Sequence, residues 1–426
     1  MNHMIPRVNH YGIHQSSSLV DIALRGAIVP FLAVMLFFPS ITFSLLSAEI
    51  FPWAIMYSLL LVRKVSIPLL LLFGIFLASA ANVVLAEGAE FFPEILRSLA
   101  AYLNSLLIFG VVLTLLPKDI NLLIRIAKYV AIGMAVLGTA QFLGLVSFLS
   151  PLFDFLIPRG SANVLGGGEV GARGVSLLSS EPSRAAYELL FIYLIYRFTL
   201  LKPTYRLWGD FVVSVLVFFF IRSAVGAVLL LGFWFIFNRN KLVLMSMFIV
   251  VCVSLVDVDL SGRAVVVFST LINMDSLGDA YSYVLNSSGF RLVSIAGGVL
   301  YGIINPFGAG VGFWRESSLD ALALTSVSPE TISYFLFNSD GYWSSVRPAS
   351  YFGSLMLDLG IIGTAAVIWI ILILIKKYKA VAGNKSDLRN IVLFFFLYFF
   401  STGAVGNPIP WLSVAVLIKY FSFKQA

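Results

Sequence analysis

The chain is poor in almost everything a water-soluble surface is made of. Of its 426 residues only 12% are charged, while 60% are hydrophobic and the mean hydropathy is +0.97. That ratio leaves too little polar surface to coat a soluble core. There is one cysteine, Cys252, which excludes an intrachain disulfide and a cysteine-based metal cluster. The three histidines, His3, His10 and His14, all fall in the first 14 residues. Imidazole is therefore missing, as base or as ligand, from the rest of the sequence. The N-terminal segment also lacks the basic stretch and small-residue cleavage site of a secretory signal, and reads as a retained cytoplasmic tail.

What is present is a series of apolar runs, each long enough to cross a hydrocarbon layer of roughly 30 Å. They fall near 22–40, 43–62, 65–86, 95–116, 127–150, 184–201, 209–222, 223–238, 242–259, 351–375, 390–406 and 408–422. The expectation is an all-α integral membrane protein, one polytopic domain over 1–426 with about 12 transmembrane helices and both termini inside. The pair at 209–238 is short for two full crossings and reads as a tight hairpin whose turn must be sheltered by protein. Two external loops stand out by length, 151–183 and 260–350, the second with room for short helices of its own.

The basic residues divide by side. In this topology every lysine is cytoplasmic, and the external basic residues are all arginine: Arg97, Arg159, Arg173, Arg184, Arg222, Arg263, Arg291, Arg315 and Arg347. Two readings are open. Positive-inside bias strips lysine from translocated loops and leaves arginines in structural ion pairs. Alternatively, a planar five-donor fork is kept where phosphate must be gripped bidentately, which lysine does only as a point charge.

Both loops carry residues suited to chemistry. The first contains RGSANVLGGGEVGARGVSLLSSEPSR, in which Glu181-Pro182-Ser183 reads as the first turn of the next helix. Glu181 is then a helix-capping carboxylate or a reactive one, close in sequence to Arg173 and Arg184. In the second loop Arg291 and Gly302 are eleven residues apart, on one helical face and separated by roughly 16 Å, with Gly298 on the same face. Asn305-Pro306 ends that helix, and Gly308, Gly310 and Gly312 supply turn backbone with free N–H groups. The stretch reads as a re-entrant or interfacial helix-turn presenting one arginine to a membrane-level cavity, or as a buried helix whose arginine snorkels. Trp314, Tyr334, Tyr342 and Trp343 form either a sugar-stacking surface or an interfacial belt. Asp358 is an intramembrane charge, a functional suspect or an ion-pair partner for one of the arginines.

The Arg291-to-Gly302 spacing followed by NPFGAGVG resembles the second arginine loop of Wzy-type O-antigen polymerases, which share a superfamily with the O-antigen ligases. The likeness extends to ARGVSLLSSEPSRAAYELL, to IRSAVGA at Arg222 and to ASYFGSLMLDLGIIG from Ala349. The first loop departs from the pattern, because Arg159 is followed after ten residues by Val170, with Gly171 one place late. The resemblance implies a GT-C-like glycosyltransferase of lipopolysaccharide or other polysaccharide biosynthesis in the bacterial inner membrane, with its active site periplasmic. Such an enzyme polymerises undecaprenyl-pyrophosphate-linked repeat units by moving the growing glycan from its lipid diphosphate onto the incoming unit. Donor and acceptor glycans, membrane lipid, a chain-length regulator and a flippase are the implied partners; no nucleic acid, cofactor or metal is.

On that view Arg173, Arg222 and Arg291, with Arg159, neutralise the leaving diphosphate. Glu181 is the first choice for a base and Asp340 the second, and Trp314, Tyr342 and Trp343 hold sugar. The ligase alternative is disfavoured because its relatives use a periplasmic histidine, and this chain reads SSVRPASYF where that residue would fall. A flippase or transporter is the other alternative; it calls for mid-membrane charge and an internal repeat, whereas the charges here gather at the external face. The lysine asymmetry predicts that an impermeant amine-reactive label leaves the protein unmodified in intact spheroplasts and labels it after lysis. Labelling of intact spheroplasts at Lys128 or Lys202 would invert the topology.

Overall fold

The computed structural model describes residues 19–42, 51–62, 66–157, 174–241, 277–379 and 385–424. They form helices α1 (Leu19–Met35), α2 (Pro52–Leu61), α3 (Ile67–Glu87), α4 (Phe92–Val112), α5 (Pro117–Phe142), α6 (Ser150–Leu156), α7 (Pro182–Thr199), α8 (Arg206–Val215), α9 (Ala224–Phe237), α10 (Leu277–Ile304), α11 (Trp314–Ala323), α12 (Ser333–Asn338), α13 (Tyr351–Lys379), α14 (Lys385–Ser401) and α15 (Ile409–Phe423). Among the described residues there is no β-strand. Among the described residues five helical stretches are long and apolar enough to cross a membrane: Ile67–Glu87, Ala89–Val112, Pro117–Phe142, Pro203–Ile221 and Tyr351–Lys377. Proline opens several of these helices, where its missing N–H costs no hydrogen bond.

The helices depart from the apolar runs in instructive ways. The residues between the expected runs 95–116 and 127–150 form the first turns of α5, so that Lys118, Arg125 and Lys128 lie on an otherwise apolar helix. The run 43–62 contains only the 10-residue α2 among its described residues, which spans about 15 Å. The run 242–259 lies outside the described residues. The large loop is not mainly irregular: 28 of its residues form α10, so the expected short re-entrant helix-turn is the second half of one long helix that holds both Arg291 and Gly302.

α7 and α15 occupy the centre. Almost every residue of α15 is buried, against α4, α5, α7, α13 and α14. α7 carries three charges, Arg184, Glu188 and Arg197, and is still mostly buried, so its charges must find partners inside the protein. α3, by contrast, has only 28% of its apolar window buried and turns its leucines outward. A lipid-facing helix needs no polar face, which is why exposed Leu70, Leu71 and Leu77 require no other explanation.

α13 is broken at Gly360, where φ is +63° and ψ −174°. The break strips Leu357 and Asp358 of their in-helix donors. The loop after α10 replaces them: Ala309 N–H donates to Leu357 C=O at 2.8 Å and Gly310 N–H to Asp358 C=O at 2.9 Å. Ile362 N–H donates in turn to Pro306 C=O at 3.1 Å, and Val311 N–H to Ser79 Oγ at 3.1 Å. Gly308, Gly310 and Gly312 all adopt positive φ, as the turn demands. The N–H groups of residues 308–311 are nonetheless committed to Asn305, Leu357, Asp358 and Ser79, so they are not the free anion donors that the glycine alternation implied.

Behind this loop α10 lies directly on α13. A Cβ at Gly298 would meet the Gly353 carbonyl oxygen, and one at Gly302 would overlap that of Met356. Gly302→Ala is therefore expected to destabilise the protein by about 1–3 kcal/mol, because two backbones must part. Gly133 on α5 faces open space, and Gly133→Ala should be neutral or slightly stabilising. Thermal unfolding of both variants in detergent compares the two directly.

Candidate functional site

Glu181 sits at the N-cap of α7 in extended conformation but makes no side-chain cap bond. Its Oε2 instead accepts from Arg291 Nη2 at 3.2 Å and from Ser183 Oγ at 3.1 Å, and Arg291 Nη2 also donates to Ser183 Oγ at 3.1 Å. The ion pair is accessible, with side chains 28% and 50% exposed. Burial raises the Glu181 pKa, but the charges of Arg184 and Arg291 and the hydrogen bonds from Ser183 and Arg291 outweigh it. The carboxyl is held below its usual range and stays ionised at neutral pH. In this state it is a counter-charge first and a weak base.

The local chain explains this placement. Leu177 is clamped both ways by Gln141, whose Nε2 donates to Leu177 C=O and whose Oε1 accepts from Leu177 N–H, each at 3.0 Å. Ser179 Oγ donates to Glu188, and Val175 N–H donates to Phe220 C=O at 2.9 Å. The last residues of the first loop are thus fixed to α5, α7 and the turn after α8 before they reach Glu181. On the other side, Arg291 C=O accepts from Ser294 Oγ at 3.0 Å, and that oxygen accepts from Ala349 N–H at 3.3 Å.

A second charged centre is formed by α4, α11 and the start of α13. Arg347 Nη2 donates to Asp358 Oδ2 at 2.8 Å, and Tyr102 OH donates to the same oxygen at 2.7 Å. Asp358 is fully buried, and Arg347 is 17% exposed. The Arg347 guanidinium lies over Tyr102 at 5.4 Å and over Trp314 at 5.9 Å from the ring centroids. Beside it Arg315 pairs with Glu94 at 3.3 Å. The sequence offered two roles for Asp358, and the geometry makes it the partner of Arg347.

The remaining sequence-derived residues are scattered. Arg222 has φ +51°, left-handed for a non-glycine residue, at the end of a wide π-type turn over Leu216–Ile221. Its Nε donates to Phe219 C=O at 2.9 Å, and its guanidinium lies over Phe142 at 5.6 Å. The chain does turn at that residue, between α8 and α9, but the leg before it, Pro203–Ile221, is longer than the expected short hairpin and is apolar enough to cross a membrane by itself. Asp340 is exposed, with φ +50°, and no described hydrogen bond or ion pair ties it to Glu181 or Arg291. Tyr342 is 75% exposed, whereas Trp343 packs edge-on against Phe335 in a small cluster with Val293, Leu322 and Ile332. Tyr334 stacks on Phe290, the neighbour of Arg291, at 4.6 Å. Arg159 and Arg173 lie outside the described residues, as do Arg263 and Cys252.

Two buried carboxylates escaped sequence reasoning. Glu188 accepts from Ser179 Oγ and from Asn407 Nδ2, which ties α7 to the connection before α15. It falls seven residues after Glu181, two helical turns on, and that spacing was the available signal. Asp210 receives Arg197 through Nε at 2.8 Å and Nη2 at 3.0 Å, along with Tyr193 OH at 2.7 Å and Asn238 Nδ2 at 2.8 Å. Arg197, near the end of the expected run 184–201, is thus a buried residue of α7.

These elements define a membrane-embedded helical protein with, among its described residues, three arginine–carboxylate centres. Comparison with family models, curated proteins and solved structures returned no match. Among the described residues no group of histidine, cysteine, aspartate and glutamate side chains is arranged to hold a metal ion. Arg347→Leu leaves Asp358 buried without its counter-ion, and a loss of about 3–5 kcal/mol is expected in detergent unfolding. Arg347→Leu combined with Asp358→Leu should recover most of that loss.

Proposed function

We propose that the protein is a polysaccharide polymerase of the bacterial inner membrane, a glycosyltransferase that joins lipid-diphosphate-linked repeat units at its periplasmic face. The observation that carries the reading is the accessible Arg291–Glu181–Ser183 cluster at the start of α7, with Arg184 one turn away. A guanidinium held beside a charged carboxylate is in place to receive a diphosphate. The reading includes about 12 crossings in a GT-C-like arrangement, with both termini cytoplasmic.

In the reaction, the bond between the donor's anomeric carbon and its diphosphate oxygen breaks, and its electron pair leaves with the diphosphate. The hydroxyl of the acceptor sugar forms the new glycosidic bond and releases its proton. Arg291 takes up the charge growing on the leaving phosphate. As the diphosphate engages Arg291, Glu181 keeps only Arg184 as a positive neighbour and gains a negative one, which raises its basicity where the hydroxyl proton is released. Diphosphate is itself a good leaving group, so positioning carries much of the rate.

A gel of surface polysaccharide from a strain lacking the gene tests the reading. Glycan capped with a single repeat unit means that export and attachment survive and extension is lost. Long lipid-linked polymer accumulating with no surface glycan identifies a ligase instead; short units stranded in the cytoplasmic leaflet identify a flippase. In the complemented strain Arg291→Lys should lower polymer yield at least tenfold, because the fork is lost while the charge remains.

A further inference from the structure

We infer that the lysine-bearing end of the bundle holds an anionic phospholipid, its phosphate gripped by Lys202, Arg206 and Lys424 where α7, α8 and α15 meet. The site lies at the opposite end of α7 from Glu181, 18 residues and about 27 Å along the helix. It rests on no part of the polymerase reading.

Three elements bring the cations together. α7 ends at Thr199, whose C=O accepts from Tyr420 OH of α15 at 3.3 Å. Lys424 Nζ stands 5.7 Å from the centroid of the Tyr420 ring. Lys202, exposed, follows α7 directly, and one 3₁₀ turn over Pro203–Tyr205 leads into Arg206, the first residue of α8. The Arg206 guanidinium carbon lies 5.3 Å from the centroid of Phe198, so its fork is held against the last turn of α7. Its Nε is buried and has no hydrogen-bond partner among the described residues. A fork placed by an aromatic ring, not by a carboxylate, keeps its donors for a ligand.

The carboxylates at this end are committed elsewhere. Asp210, one turn after Arg206, is the nearest in sequence, and both its oxygens are taken. Oδ1 accepts from Arg197 Nε and Tyr193 OH, and Oδ2 from Arg197 Nη2 and Asn238 Nδ2. Its charge is matched by Arg197. Asp119 lies in the first turn of α5 and Asp387 in that of α14, and no described ion pair joins either to Lys202, Arg206 or Lys424. Arg239 and Lys241, exposed just after Asn238, add charge of the same sign. The counter-charge for this end therefore comes from outside the chain.

The surroundings favour a lipid over a soluble anion. Tyr205, Trp208 and Val212 are spaced i, i+3, i+7 at the start of the Pro203–Ile221 span, so they share one helical face. All three are exposed, Trp208 to 72%. The stripe starts beside the cations and runs along the span, so a phosphate on Arg206 lays an acyl chain down it. A soluble anion would use the cations and leave the stripe bare. A zwitterionic phospholipid would bring its own ammonium and leave the positive excess standing. Basic side chains between helix ends, with Tyr and Trp at headgroup depth, are the pattern that selects an acidic lipid.

Native mass spectrometry of the full chain in detergent, titrated with phosphatidylglycerol and separately with phosphatidylethanolamine, tests the assignment. One phosphatidylglycerol per chain is expected, held several-fold tighter than phosphatidylethanolamine. Each basic side chain beside a headgroup contributes roughly a factor of five, so Lys424→Gln should weaken binding about fivefold and Lys202→Gln with Arg206→Gln about twentyfold. In lipid-free detergent the double variant should unfold at the wild-type temperature, because neither side chain has a described ion pair to lose. Added phosphatidylglycerol should raise the midpoint of the wild type and not of the double variant. Lys376→Gln with Lys377→Gln, at the end of α13, should bind as the wild type does. Equal binding of the two lipids makes the contact ordinary boundary lipid and overturns the site. Undiminished binding in both the Lys424 and the double variant overturns it as well, since the headgroup then sits elsewhere on the basic face. Displacement of the lipid by millimolar inorganic phosphate would make this a soluble-anion site and equally overturn the assignment. None of these outcomes bears on the Arg291 cluster.

Discussion

Both accessible arginine pairs depend on how the break in α13 is closed. In a membrane interior an unpaired carbonyl costs several kcal/mol, so a helix cannot simply stop and restart. Gly360 turns the chain, and the loop from Asn305 to Val311 supplies the missing donors to Leu357 and Asp358. This exchange binds the end of α10 into the middle of α13. It also fixes the height of Asp358, hence of Arg347, and through the Ser294 bridge the height of Arg291.

The arginines divide into those that are held and those that can be reached. Arg197 and Arg347 point at carboxylates with no solvent exposure, and removing either would strand a charge. Arg291 and Arg315 pair with carboxylates that are 50% and 29% exposed, and exposed pairs of this kind exchange partners readily. The same residue type is thus fixed at one end of a cluster and left within reach of solvent at the other. Lysine, with a flexible stem and no fork, would do neither as well.

Much of this was legible in the sequence and some was not. Composition alone makes the chain a helical membrane protein, and the Pro and Gly punctuation after Asn305 marks the turn. Gly298 and Gly302 were readable as a close-packing face because they share a helical stripe with Arg291. The start of α5 was obscured because Lys118, Arg125 and Lys128 read as a polar connection, although a helix end can carry such residues out of the membrane. The break at Gly360 left no mark in an otherwise ordinary apolar run, since one glycine in a span is common and only its φ is unusual. Glu188 and Asp210 were passed over for a related reason: a lone carboxylate in a span does not announce which distant Asn or Arg will meet it.

The burial of α15 bears on how the protein is made. α4 and α7 are synthesised long before it, yet Asn104 on α4 donates to Gly406 C=O just ahead of α15, and Glu188 on α7 waits for Asn407 in the same connection. Until the ribosome has passed these positions, Asn104 lacks its native acceptor and Glu188 has Ser179 without Asn407. The insertion machinery must therefore keep the early helices apart, or hydrated, for most of the time the chain takes to emerge.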